Sequence, residues 1–146
     1  MDSVAYPDAV DPGLVGTYSA VANAGGGFVW DDVLEYRVWC HPEDGSDDYY
    51  YPFATHVEAA SFFLRTKGAE PPLALIEPPL ALILQREYID EPNPGEYQHV
   101  KEARITEWPV EFLRRPRRTK NTIPDFLSPN APANRLDILR GLADQK

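Results

Sequence analysis

Cys40-His41 is the pair of neighbours in this chain that most directly suggests covalent chemistry, since a thiol beside an imidazole can be a nucleophile with its base. The pair lies in a segment of strand-like alternation. Adjacent side chains of a strand leave opposite faces, so the two groups should diverge, and Cys40 reads as a small core residue. His41, His56 and His99, with Glu43, Asp47 and Asp48, carry metal-ligating atoms. No two of the histidines stand at a ligand spacing such as i, i+4, so surface histidines and a solvated acidic turn are expected, with no metal. Glu87 and Glu107 would form an acid–base pair only if their strands were neighbours at the right separation. The most informative set is Glu35, Arg37, Trp39 and His41, which alternate along one strand face. Arginine beside tryptophan can receive a carboxylate, stack on a planar ligand, or meet a partner subunit. The plainer alternative is a partly exposed face with a cross-strand Glu–Arg pair.

These residues need elements to hold them. From Val33, Leu34, Tyr36, Val38 and Cys40 point one way as core, opposite the polar-aromatic set. An acidic turn containing Asp44-Gly45 leads to a second strand over Tyr49 to Phe53. Thr55 and Glu58 form a capping box for a helix whose apolar stripe is Val57, Ala60, Phe63 and Leu64, widened by Ala59 and Phe62 and stopped at Gly68. A further strand is expected from Leu80 to Ile89, and Glu96 to Arg104 with Ile105 to Leu113 read as one long bent strand or two shorter ones; in the latter part Thr106, Trp108, Val110 and Phe112 share a face and Pro109 suggests a bulge or an edge. Thr122 to Leu127 reads as one helical turn, and Asn134 caps a short helix carrying Leu136, Ile138, Leu139 and Leu142. The pattern predicts an α+β fold: a small, mostly antiparallel sheet with one principal helix packed on a face and a C-terminal helical tail. Residues 1–27 read as a mobile arm ending in Gly25-Gly26-Gly27, 28–113 as the core domain, and 114–146 as a basic linker and tail. The glycine triplet reads as a flexible lead into a strand, not a phosphate cradle, because a strand-like segment and not a helix follows it.

The heptapeptide Glu70-Pro71-Pro72-Leu73-Ala74-Leu75-Ile76 is repeated at once as Glu77 to Ile83. Seven is odd, so sliding the register by one copy would turn a strand's core face outward. The first copy would run into Pro78-Pro79, and a proline pair stops a central strand from continuing, whereas continuity into Gln85-Arg86-Glu87 selects the second copy as the strand and leaves the first in a longer connection.

The 146 residues carry a net charge of −9, unevenly placed. Residues 1–100 hold four basic against seventeen acidic side chains, and residues 101–146 hold ten against six. An acidic body disfavours sequence-independent nucleic-acid binding. Arg114, Arg115, Arg117, Arg118 and Lys120 are therefore expected to form a soluble linker, or to dock on acidic residues of this chain or of a second copy. The single cysteine excludes an intrachain disulfide, and no secretory or membrane-spanning segment is evident, so a cytoplasmic location is expected.

The runs Asn23-Ala24-Gly25-Gly26-Gly27-Phe28-Val29-Trp30, Glu35-Tyr36-Arg37-Val38-Trp39-Cys40-His41-Pro42-Glu43-Asp44-Gly45, Leu84-Gln85-Arg86-Glu87-Tyr88-Ile89-Asp90-Glu91-Pro92 and Arg104-Ile105-Thr106-Glu107-Trp108 are distinctive. Over Asn23 to Arg115 the chain resembles a group of short bacterial proteins often labelled as GNAT-family acetyltransferases. That resemblance implies acetyl-coenzyme A as cofactor, bound by a Gln/Arg-x-x-Gly-x-Gly/Ala loop between a strand and a helix N-terminus. The nearest segment, Arg65-Thr66-Lys67-Gly68-Ala69-Glu70, departs from the loop at Glu70 and follows a helix where the loop would precede one. The doubled heptapeptide is a second departure from the group's pattern. The residues themselves favour a non-catalytic protein, without cofactor, that binds a partner or small ligand or self-associates through the face of Glu35, Arg37, Trp39 and His41. The acetyltransferase, with an atypical coenzyme A site, is the alternative.

Overall fold

The computed structural model describes residues 6–22, 28–66, 73–115 and 117–140. Its strands are β1 (Asp32–Pro42), β2 (Tyr49–Phe53), β3 (Leu73–Ile76), β4 (Leu80–Gln85), β5 (Tyr88–Asn93), β6 (Glu96–Val100) and β7 (Arg104–Pro109). The helices are α1 (His56–Thr66), α2 (Thr122–Leu127) and α3 (Arg135–Leu139), with 3-10 turns at Pro12–Leu14 and Val110–Arg114. This is the expected α+β arrangement with mostly antiparallel pairing. No described helix is long and apolar enough to cross a membrane. The chain forms two compact units, Met1–Val21 with Val33–Leu82 and Ala22–Asp32 with Ile83–Lys146.

In the first unit β1 is the organising strand. Leu34, Tyr36, Val38 and Cys40 are buried, as their alternation predicts. β2 pairs antiparallel with β1 from Tyr36↔Phe53 to Cys40↔Tyr49. Cys40 also pairs with Ile76 of β3, so β3 occupies the edge opposite β2. α1 starts on the capping box: the Glu58 amide donates to Thr55 Oγ1 at 3.1 Å, and that hydroxyl donates to the Glu58 carboxylate. Its packed side differs from expectation. Ala59 is buried and Phe62 sits on Tyr51 and Phe53 (ring centroids 4.7 and 5.3 Å), whereas Val57 and Leu64 are exposed. The stripe read from sequence was wide enough to admit either side, and the aromatic face of β2 chose this one. The expected stop at Gly68 lies outside the described residues.

Both copies of the heptapeptide form strands, which corrects the expectation of one strand and one loop. β3 is antiparallel to the end of β1, with Cys40↔Ile76, His41↔Leu75 and Pro42↔Leu73 and a bulge at His41/Pro42. The Glu77 amide continues the ladder by donating to the Trp39 carbonyl at 3.0 Å. Pro78-Pro79 then interrupt the run before β4, which also borders β1. The odd repeat is absorbed as extra length along one long partner, with the bulge at His41/Pro42 taking up one residue. Face parity also loses its force in β4, where consecutive Ala81, Leu82 and Ile83 are all sealed from water.

β4 carries the chain into the second unit, where β7 is its neighbour. The strand expected to run unbroken to Ile89 stops at Gln85, because the Arg86 amide is captured by the Asp31 carboxylate at 2.6 Å. β5 and β6 form a separate antiparallel hairpin turning at Pro94-Gly95, with Gly95 at φ 83°. Thr106 and Trp108 share the buried face of β7, but Val110 and Phe112 belong to the following 3-10 turn. Pro109, the residue that suggested a bulge or edge, ends the strand. The core here joins Phe28, Val29 and Ile89 to Ile123 and Phe126 of α2 and Leu139 of α3. The tail helices are therefore part of the second unit's interior.

Candidate functional site

The sequence-designated face divides into a sealed half and an open half. Glu35 and Arg37 are both fully buried, and Arg37 Nε donates to Glu35 Oε2 at 2.7 Å. The pair runs along one strand, i to i+2, and is not the cross-strand pair considered from sequence. Its cover is the segment read as a mobile arm. The Gly16 amide donates to Glu35 Oε1 at 2.9 Å, and the Arg37 guanidinium donates to the carbonyls of Ser19 and Ala20. Gly16 has φ 88°, a conformation that only glycine adopts without strain, so the turn that delivers this amide depends on it. The arm is pinned elsewhere by Ala9 N–H to Ala54 O and Val10 N–H to Val33 O (both 2.8 Å), and by Tyr36 Oη to Pro7 O.

Trp39 and His41 make up the open half. Trp39 is partly exposed and packs at a tilt against Tyr50 (ring centroids 4.9 Å), whose ring also lies 4.4 Å from the Arg37 guanidinium carbon. His41 lies between two carboxylates, Nε2 2.7 Å from Glu77 and Nδ1 2.9 Å from Asp48. The hydrogen bond to Glu77 raises its pKa above the ordinary imidazole value, and Asp48 adds to the effect. Burial pushes the Cys40 thiol upward, and its Sγ lies 4.0 Å from the Val38 carbonyl. Thiol and imidazole have separate partners, as strand geometry predicts.

The other candidates are dispersed. His56 packs against Tyr6 and Tyr36, and burial lowers its pKa. In the second unit, His99 lies 3.3 Å from Glu87. Among the described residues, no group of three His, Cys, Asp or Glu side chains is placed to hold a metal. Glu87 follows β4 and is held by Arg118 at 2.8 Å, whereas Glu107 lies within β7. Arg65 and Thr66 end α1. A helix C-terminus presents carbonyls and a negative dipole, the reverse of what a pyrophosphate needs. Gly68 and Glu70 of that segment lie outside the described residues, as does the Gly25–Gly27 triplet.

The basic run docks within its own unit. Arg118 bridges Asp31 (2.7 Å) and Glu87 and is only 17% exposed. Arg117 reaches Asp32 at 3.0 Å from a largely exposed position, while Arg114 and Lys120 face solvent.

Sequence reasoning missed a cleft of about 270 Å³ between α2 and α3. Arg117, Thr119, Thr122, Asp125 and Arg135 supply its polar lining, and Phe126, Ile138 and Leu139 its apolar floor. Among the described residues Arg135 is oriented by one bond, Nη1 to the Phe126 carbonyl at 2.8 Å, and by the rings of Phe126 and Tyr97 at 5.0 and 5.2 Å. A guanidinium has five N–H donors, so most remain for a ligand. The only sequence signal was the pair of short helices. Their apolar residues were legible, but the convergence of two arginines was not. No family model matches the chain, and neither curated proteins nor solved structures show a significant similarity to it.

Proposed function

We propose that this chain is a small-molecule binding protein whose ligand is an organic anion with an apolar body, held in the cleft between α2 and α3. The observation that carries this reading is the meeting of Arg117 and Arg135 with two threonine hydroxyls over an apolar floor. Oriented guanidinium groups recognise carboxylate or phosphate, and the floor gains from burying hydrocarbon. The volume lies at the lower edge of ordinary ligand pockets, roughly 300–1,000 Å³, which selects a compact ligand. Asp125 on the same rim disfavours a ligand of high negative charge and suits one that also offers a donor. On this reading the ligand binds away from the Glu35–Arg37 face, where the chain's own arm occupies the guanidinium.

Calorimetric titration with short-chain and branched carboxylates and their phosphate monoesters tests the reading. A binder should appear in the micromolar to millimolar range and weaken at least tenfold in Arg135→Gln and Arg117→Gln, with circular dichroism unchanged. Absence of any binder, or binding indifferent to both substitutions, would overturn it. Tight binding of acetyl-coenzyme A, unaffected by these substitutions, would favour the acetyltransferase alternative.

A further inference from the structure

Most arginines of the described chain have an anionic partner or a hydrogen-bonded one. Arg37, Arg86, Arg117 and Arg118 meet carboxylates, Arg104 bonds Gln85, and Arg135 bonds a carbonyl. Two that lie against aromatic rings do not. Arg115 is fixed through its backbone: its carbonyl accepts from Trp30 Nε1 at 3.0 Å, and its amide donates to the Phe112 carbonyl at 3.1 Å. Its guanidinium carbon then lies 4.3 Å from the Phe112 ring centroid, 5.5 Å from Trp108 and 5.9 Å from Phe28. Arg140 follows α3, with its amide bonded to the Leu136 carbonyl at 3.0 Å, and its guanidinium carbon lies 5.0 Å from the same Phe28 ring. Among the described residues its Nε is buried without a hydrogen-bond partner.

Two like charges thus share one aromatic ring, and among the described residues neither meets a carboxylate. Ring quadrupoles offset part of the desolvation of a cation but leave its N–H donors unanswered. Burial lowers the Arg115 pKa, and the nearby Arg140 charge lowers it further. The chain has acidic residues in excess, 23 against 14 basic, so ordinary surface pairing had ample acids to draw on.

We propose that Arg115 and Arg140 form a binding site for a small oxyanion, a phosphate or carboxylate group, beside Phe28. The oxyanion cancels the mutual repulsion and takes donors that include Arg140 Nε–H. None of the residues lining the α2/α3 cleft is needed, so the two sites stand or fall separately.

The test uses the full chain at constant ionic strength, with inorganic phosphate, acetate and chloride as probes. Thermal unfolding and the NMR resonances of the arginine Nε–H groups are followed together. Phosphate or acetate should raise the midpoint saturably and shift the Arg140 Nε–H signal, while chloride does neither; the stronger probe distinguishes phosphate from carboxylate recognition. In Arg140→Gln the response should be lost, and without anion the variant should be as stable as the parent or more so, because a like charge has gone. A merely structural Arg140 would lower the midpoint equally with and without anion, and that result overturns the proposal. So does the lack of a saturable shift in the unsubstituted chain, a reading that needs no variant to fold. Asp144→Asn should respond as the parent does. If phosphate binds only in that variant, the occupant is the chain's own carboxylate and the proposal fails.

Discussion

Arg37 is held in place by what it would lose on leaving. Its charge is out of water, and its donors are taken by Glu35 and by the carbonyls of Ser19 and Ala20. Removing one member of such a pair strands the other, at a cost of about 3–5 kcal/mol. Urea unfolding of Arg37→Ala should show a loss of that size, and the double variant Glu35→Gln/Arg37→Met should recover most of it. A loss under about 1 kcal/mol for Arg37→Ala would place the pair in water, as for exposed ion pairs. His41 gives a prediction in pH. Its folded pKa is raised, chiefly by Glu77 and then by Asp48, so folding favours the protonated ring. The stabilisation is therefore complete below the unfolded value of 6.5 and disappears as pH rises through the higher folded value. The stability gap between the parent and His41→Gln, measured from about pH 5.5 to 9, should be widest at the acidic end and close toward the alkaline end. A gap that widens with pH would refute this assignment. The alternation along β1 revealed which residues face each way. It could not reveal that Glu35 and Arg37 are sealed, because their cover comes from residues 16–20, a stretch with no periodic pattern.

At the scale of elements, the repeated heptapeptide separates local from non-local information. Each copy has the composition of a short strand after a proline pair, and each becomes one. The proline pair argued against continuing a strand, and it does interrupt the run. What the sequence lacked was the partner's length: β1 spans 11 residues, enough to pair with both copies in succession. Deleting residues 70–76 leaves one intact copy beside Gln85, so β4 should persist while Cys40 to Pro42 lose a neighbour. The variant should fold with a lower thermal midpoint, and faster hydrogen exchange should be confined to the end of β1. Failure to fold would mean that β3 is indispensable to the first unit. The Thr55–Glu58 capping box was legible because a cap needs only residues three apart; the buried side of α1 was not, because two stripes competed for β2.

At the scale of the whole molecule, the charge asymmetry of the chain found its physical outcome in the second unit, where Arg117 and Arg118 meet Asp32, Asp31 and Glu87. The tail beyond them completes a core, since Ile123, Phe126 and Leu139 close over Phe28, Val29 and Ile89. Truncation after residue 114 should therefore expose this cluster, giving strong dye binding and loss of cooperative unfolding; a truncated chain that unfolds as sharply as the parent would make the tail an appendage. By itself, the sequence determined what depends on near neighbours: the two faces of β1, the start of α1, the single thiol and the basic tail in an acidic chain. Only the tertiary structure decided which polar residues are sealed, that both heptapeptides are strands, and that two arginines gather at Phe28. The reason is that periodicity reports a residue's own backbone, whereas burial and charge compensation depend on which distant segment comes to cover it.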